Sequence, residues 1–230
     1  MAFQYEEAVP WGRSFDEYRR MFHLTDEDLL RNIVGCADGP ANFNAQMFAR
    51  GQQVISCDPL YQLTAEQIKA RIDATYATVI GQTRQNQDKF IWDLIKSPDE
   101  LGRVRLAAMQ NFLDDYEQGK KEGRYMAAEL PIVPFPSGAF DLALCSHFLF
   151  FYADNLSLAF HQQAVDELCR LAPEVRIFPI VTYNAEPCPY LDPITEHLKQ
   201  VGYQVSIEKV AYEFQRGGNM MMRVSRTHSR

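Results

Sequence analysis

The apolar positions of this chain change period along its length, and those changes mark its elements. Ile33-Val34 runs into the turn Gly35-Cys36-Ala37-Asp38-Gly39-Pro40, a helix pattern follows over 41–50, and Gly51 closes it. Residues 53–57 alternate as a second strand that ends in Asp58. Upstream, Ser14 with Glu17 is a capping-box pair that opens a helix through about Phe22. Tyr18 and Phe22 then share a face, with Arg19 beside them. Thr25 and Asp28 cap a second, shorter helix, and residues 1–13 read as irregular with Pro10-Trp11-Gly12 as a turn.

After Asp58 the sheet does not resume at once. A compact strand–helix–strand unit returns within roughly 15–20 residues, whereas here about 60 intervene. Thr64 with Gln67 is a capping box, and Ile68, Ile72, Tyr76, Val79 and Ile80 follow at helical spacing. Ser97-Pro98-Asp99-Glu100 starts another helix, whose apolar positions are Leu101, Val104, Ala108, Phe112 and Tyr116. Each helix carries a single apolar stripe that has to be buried. Residues 62–124 therefore read as a helical insertion within one domain spanning 1–230, either a cap over the edge where it leaves the sheet or the face of a homodimer.

Residues 125–128 return to strand, and 141–146 form a fourth strand ending at His147. Asp154 or Asn155 is expected to cap a helix to Leu171, with Leu158, Val165 and Leu168 inward. Residues 174–182 give a fifth strand, and Asp192-Pro193 starts a helix that Gly202 closes. Residues 203–211 and 219–226 pair across Gly217-Gly218 as a closing antiparallel hairpin. The expected fold is α/β: a Rossmann-like seven-stranded sheet with an antiparallel last strand and a helical insertion after strand 2.

Composition narrows the function. With 47% hydrophobic residues the chain has a well-filled core. A net charge of −7 and the lack of a Lys/Arg run argue against nucleic acid; Lys120-Lys121 with Arg124 reads as a solvated helix end. No signal peptide or membrane-length apolar run is seen, and five cysteines without C-x-x-C spacing read as free thiols of a cytoplasmic protein.

The strand, glycine turn, helix, strand and carboxylate together describe the first half of a nucleotide-binding unit. Glycine at 35 and 39 allows a ligand close to the main chain, and Asp58 can accept two hydrogen bonds from a ribose diol. Pro40 stands where a dinucleotide turn needs an N–H, which speaks against a dehydrogenase.

The G-x-(G/A)-x-G turn followed by an acid at the end of strand 2 resembles class I S-adenosylmethionine (SAM)-dependent methyltransferases, with Ala37 in place of the middle glycine. The segment Val133-Pro-Phe-Pro-Ser-Gly-Ala-Phe140-Asp141-Leu-Ala-Leu-Cys-Ser-His147 is similar to a second segment of that family. The resemblance covers 30–60 and 125–226 and leaves out the insertion. It implies SAM as cofactor, with the glycine turn along its methionine part, Asp58 on the ribose, Leu60 flanking the adenine and Glu129 facing the adenine amino group. The implied cofactor-binding set is Gly35, Cys36, Ala37, Gly39, Asp58, Pro59, Leu60, Glu129, Leu130 and Ser146.

Methyl transfer from a sulfonium needs alignment above all. Should the acceptor have to lose a proton, His147 is the first candidate base, since it follows the fourth strand and titrates near neutrality. Tyr18 is the second and Tyr152 a third. The aromatic run Phe148, Phe150, Phe151 and Tyr152 divides between core and an apolar acceptor pocket. Cys36, Cys57 and Cys145 near strand ends leave a soft-ion reading open, but small buried residues are the ordinary use of cysteine, and no metal is expected. The expected function is methylation of a small molecule, with no nucleic-acid or membrane partner; the alternatives are a SAM-binding protein without catalysis and another nucleotide-binding α/β enzyme.

Overall fold

Seven strands pair in the order β3-β2-β1-β4-β5-β7-β6, with β1 to β5 mutually parallel and β7 antiparallel to both β5 and β6. The structure, a computed structural model, describes residues 9–226. The expected irregularity of residues 1–8 lies outside the described residues; residues 9–14 are irregular, and Pro10-Trp11-Gly12 forms no turn. In chain order the elements are α1 (Phe15–Met21), β1 (Ile33–Cys36), α2 (Phe43–Phe48), β2 (Val54–Cys57), α3 (Ala65–Gln85), α4 (Pro98–Lys121), β3 (Tyr125–Met126), β4 (Leu142–Ser146), α5 (Leu158–Leu171), β5 (Glu174–Phe178), α6 (Leu191–Gln200), β6 (Tyr203–Lys209) and β7 (Met220–Arg226).

The central strands are buried on both faces, so they read as continuous apolar runs. Their side chains still alternate. Val34, Cys36, Ala143 and Cys145 face one core layer with Val165, Leu168 and Leu198 of α5 and α6. Ile33, Leu142 and Leu144 face the other, with Phe15, Tyr18, Phe43 and Met47 of α1 and α2. The register sets Cys36 opposite both Cys57 and Cys145. All five cysteines are free and buried, and no cluster among the described residues is fit to hold a metal. No helix is long and apolar enough to cross a membrane among the described residues.

The helix starts follow local chemistry closely. Ser14 and Glu17 form the reciprocal capping box of α1, as do Thr64 and Gln67 for α3, and Ser97 caps α4 ahead of Pro98. Each such cap contributes about 1 kcal/mol. Gly202 takes φ +90° just past α6, the left-handed turn that ends a helix. Several boundaries differ from the sequence expectation, and β3 and β6 each end two residues early, at Met126 and Lys209. The cap of α5 is Ser157, whose hydroxyl accepts the Phe160 N–H, and not Asp154 or Asn155. β5 stops at Phe178 because Pro179 follows and has no N–H for the ladder. α2 begins at Phe43, since the Asn42 side chain accepts the Phe15 N–H and ties α1 to α2.

The insertion lies between β2 and β3. Ile68 and Ile72 of α3 pack with Met109, Phe112 and Tyr116 of α4 and with Tyr125 of β3. Ile80 and Leu101 form a second contact between the helices. Leu101 and Phe112, one from each of these contacts, are buried inside the chain. The second helix's stripe also holds Arg105, a charge that is 1% exposed.

Candidate functional site

The turn after β1 is held by backbone and carboxylate groups together. Ala37 donates its N–H to the Cys57 carbonyl at 2.8 Å, and the residue adopts φ +62°. A non-glycine residue there costs about 1 kcal/mol. Gly39, at φ +53°, donates its N–H to Asp58 Oδ2 at 2.8 Å, and Leu60 donates to Asp58 Oδ1 at 2.8 Å. Each Asp58 oxygen keeps a lone pair for a further donor. The Tyr61 hydroxyl closes the turn by donating to the Gly39 carbonyl at 2.7 Å.

Gly35 has a different use from the one expected of it. A Cβ there would lie 1.9 Å from Asp38 Oδ2, so the missing side chain makes room for a carboxylate of the chain itself. Asp38 is buried and accepts from Tyr18 Oη at 2.9 Å and from Ser56 Oγ at 2.6 Å. Tyr18 was a candidate base, but burial and the Asp38 charge push its hydroxyl well above the usual range. It keeps its proton and donates it to Asp38.

Three carboxylates converge at this edge. Burial, with Asp58 nearby, lifts Asp38 to about 6 against the hydrogen bonds from Ser56 and Tyr18. Burial, with Glu129 nearby, lifts Asp58 to about 6 against the N–H groups of Leu60 and Gly39. A donor entering here meets acceptors with unused capacity in a low-dielectric setting.

A cavity opens at the carboxyl edge of the sheet, the place where open α/β sheets hold ligands. Ala37, Gly39, Asp58, Pro59, Glu129, Leu130, Ser146 and His147 line it, as does Tyr18. Gly35, Cys36 and Leu60 do not: the first two lie within β1, and Leu60 packs with Tyr61 and Ile68 against the insertion. The insertion contributes Val79 and Thr83 from α3 and Leu101 and Arg105 from α4. Trp11 and Arg13 enter from the N-terminal segment, and Tyr212, Phe214 and Gln215 from the β6–β7 connection. The aromatic run divides as expected: Phe150 is core, while Phe148, Phe151 and Tyr152 face the cavity.

His147 stands at φ +49° at the end of β4, its Nδ1 3.0 Å from Ser146 Oγ. Burial first, then the Arg13 and Arg105 charges, drive its pKa well below the usual value, so the ring is neutral. Arg105 pairs with Glu17, which also accepts from Ser14 N and Ser14 Oγ at 2.9 and 3.0 Å and from Tyr212 Oη at 2.9 Å. Burial opposes ionisation of Glu17, but the Arg105 charge outweighs it and holds the carboxyl at about 2. The glutamate that caps α1 therefore also fixes an arginine delivered by α4.

Asp38, Arg13 and Arg105 carry no role in the sequence reading, and Glu17 only that of a helix cap. Arg105 left a signal: a charge at helical spacing between Leu101 and Ala108 on an apolar face. Asp38 and Arg13 left none, because their importance comes from tertiary contact.

No family model matches the chain. An uncharacterized protein of Methanocaldococcus jannaschii is 34% identical over 225 residues, which make up 96% of this chain and 97% of that protein. Among solved structures, magnesium protoporphyrin IX methyltransferase from Synechocystis PCC 6803 with bound SAM is 12% identical, covering 88% of this chain and 73% of that one at a TM-score of 0.45. The 1,6-didemethyltoxoflavin-N1-methyltransferase of Burkholderia thailandensis is 11% identical, covering 86% and 71% at 0.43. A SAM-dependent methyltransferase from Aquifex aeolicus is 12% identical, covering 84% and 80% at 0.39. At such scores these likenesses add no argument to the strand order itself.

Proposed function

The chain belongs to one family with the uncharacterized protein of Methanocaldococcus jannaschii, and on its class I methyltransferase fold we propose a SAM-dependent methyltransferase that acts on a small molecule. One juxtaposition supports this most. Asp58, at the end of β2, is oriented by the N–H groups of Gly39 and Leu60 on the wall of a cavity that the glycine turn also lines.

The residues fit a ribonucleoside with an amino-acid tail. Asp58 retains an acceptor site on each oxygen, which suits the two hydroxyls of a ribose. Gly39 brings main chain to the cavity wall with only Asp58 Oδ2 near the place of its absent Cβ, 3.9 Å away. Glu129, Pro59 and Leu130 line the next stretch of wall, an acid for an exocyclic amine and two apolar surfaces for a ring. When bound, SAM supplies a methyl group already activated by its sulfonium.

The chain's part is then to exclude water and align the acceptor. Residues 62–124 serve as a cap, with Val79, Thr83, Leu101 and Arg105 facing the cavity across from the sheet edge. Phe148, Phe151 and Tyr152 offer flat apolar contacts for the acceptor. With Nδ1–H donating to Ser146 Oγ, Nε2 of the neutral His147 is available to accept an acceptor proton. A cavity with this many aromatic residues on its wall suits a small molecule better than a nucleic acid, in keeping with the net charge of −7. We take the cytoplasm as its compartment, in keeping with five unpaired cysteines.

Calorimetric titration with SAM, S-adenosylhomocysteine, NAD and ATP tests the reading. The first two bind and the others bind far more weakly; tighter binding of NAD contradicts it.

A further inference from the structure

The cavity holds more positive charge than its own carboxylates use at one end. Arg105 is 1% exposed and spends one nitrogen on Glu17 and another, at 3.4 Å, on the Tyr212 hydroxyl. Glu17 is then satisfied, since both its oxygens already hold further donors. Arg13 donates to the Trp11 carbonyl at 2.9 Å, and among the described residues no carboxylate pairs with it. The Nε atoms of both arginines are buried and without a hydrogen-bond partner. A buried donor left without an acceptor is costly, more so when it carries charge. Arg105 has Glu17 as its counterion and Arg13 has none among the described residues, so the cavity wall keeps one positive charge for something that enters.

We propose that Arg13 and Arg105 form a carboxylate-binding site for the methyl acceptor, which is an organic acid with a flat apolar body. Guanidinium groups match a carboxylate in plane and in spacing, and the water-poor setting strengthens the pairing. The flat body follows from Phe148, Phe151, Tyr152 and Phe214, which line the same cavity. The placement also separates acceptor from cofactor. Asp58 and Glu129 close one stretch of wall, whereas Arg105 belongs to α4 of the insertion and influences His147 and Tyr212. His147, the group available to accept a proton, feels both arginine charges, so an acid anchored at the arginines lies beside it.

This inference rests on the methyltransferase reading, and its test separates the two. The same carboxylate chemistry has a second source, the methionine end of the cofactor. Benzoate and its neutral counterpart benzamide are titrated into the protein by NMR, first alone and then with S-adenosylhomocysteine at saturation. Benzoate is expected to bind about tenfold more tightly than benzamide in both conditions. Arg13→Gln and Arg105→Lys, the latter keeping a cation opposite Glu17, remove that preference while affinity for S-adenosylhomocysteine holds. If neither variant folds, the wild-type comparison of benzoate with benzamide decides alone. Equal affinities overturn the proposal. So does a loss of S-adenosylhomocysteine binding in Arg13→Gln with methylthioadenosine, which lacks the carboxylate, unaffected: the arginine then serves the cofactor. A wild type that prefers benzoate but binds no S-adenosylhomocysteine supports the carboxylate site and defeats the methyltransferase reading instead.

Discussion

The carboxylate of Asp38 occupies the place that a side chain on Gly35 would need, with Oδ2 lying 1.9 Å from the position of a Cβ. The first glycine of the turn is thus required by the chain itself, so that Asp38 can reach Tyr18 and Ser56. Gly35→Ala has to displace that carboxylate or the strand. The expected cost is about 1–3 kcal/mol of stability, the range for overpacking a close-packed site. Urea unfolding measures it; an unchanged midpoint means that Asp38 is easily moved and its contacts matter little.

A second relationship joins distant parts of the chain. Glu17 of α1 holds Arg105 of α4, and removing it leaves a buried guanidinium without its counterion. Glu17→Ala should destabilise the protein by about 3–5 kcal/mol, well beyond the loss of a helix cap, which is near 1. Chemical denaturation of this variant beside Ser14→Ala, which removes the cap hydroxyl and its bond to Glu17 but leaves Arg105 its counterion, distinguishes the two contributions.

What the sequence made legible was local. Ser14–Glu17, Thr64–Gln67 and Ser97–Pro98 each specify a helix start through groups three residues apart or fewer, and the structure has all of them. The second and fourth strands were equally plain, because apolar runs that end at Asp58 and His147 leave little choice, whereas β1 runs on through Gly35 to Cys36 and β5 stops short at Phe178. Where several local signals competed, the sequence did not decide: Asp154, Asn155 and Ser157 can all cap a helix, and only packing selected Ser157. Gly35 reads as a ligand-facing residue yet makes room for Asp38, and Tyr18, which does line the cavity, spends its hydroxyl proton on Asp38. The arginines were hidden for a related reason, since Arg13 and Glu17 meet Arg105 across a separation in sequence that no short pattern spans.

Ligand affinity should depend on acidity through Asp58. Its pKa of about 6 in the free site arises from burial and Glu129, and donors from a ribose favour the ionised form, lowering that value in the complex. The sign follows directly: affinity is full above pH 6 and falls as pH drops through it, by about tenfold per unit at most. Calorimetry with S-adenosylhomocysteine between pH 7.5 and 5 provides the check. In Asp58→Asn the dependence should shrink, and an equally steep profile there assigns it to another group, Asp38 foremost.

If residues 62–124 act as a cap, the cofactor's arrival is felt in them. Val79 and Thr83 lie on α3 and Leu101 and Arg105 on α4, all facing the cavity. Hydrogen–deuterium exchange should show protection in both helices on addition of S-adenosylhomocysteine. Protection confined to the glycine turn and strand ends argues that the insertion is a structural addition only.

The account stands most squarely on Asp58. Its two oxygens are already oriented by Gly39 and Leu60, at 2.8 Å each, and are assigned to the ribose hydroxyls. Charge-assisted hydrogen bonds of this kind are worth about 1.5–3 kcal/mol each. Calorimetric titration of S-adenosylhomocysteine into wild type and Asp58→Ala is therefore the decisive measurement. Binding to the wild type, with affinity at least about tenfold weaker in a variant whose circular dichroism is unchanged, is the result predicted. Equal affinity in the two proteins, or no binding to either, contradicts the assignment of this edge as a SAM site.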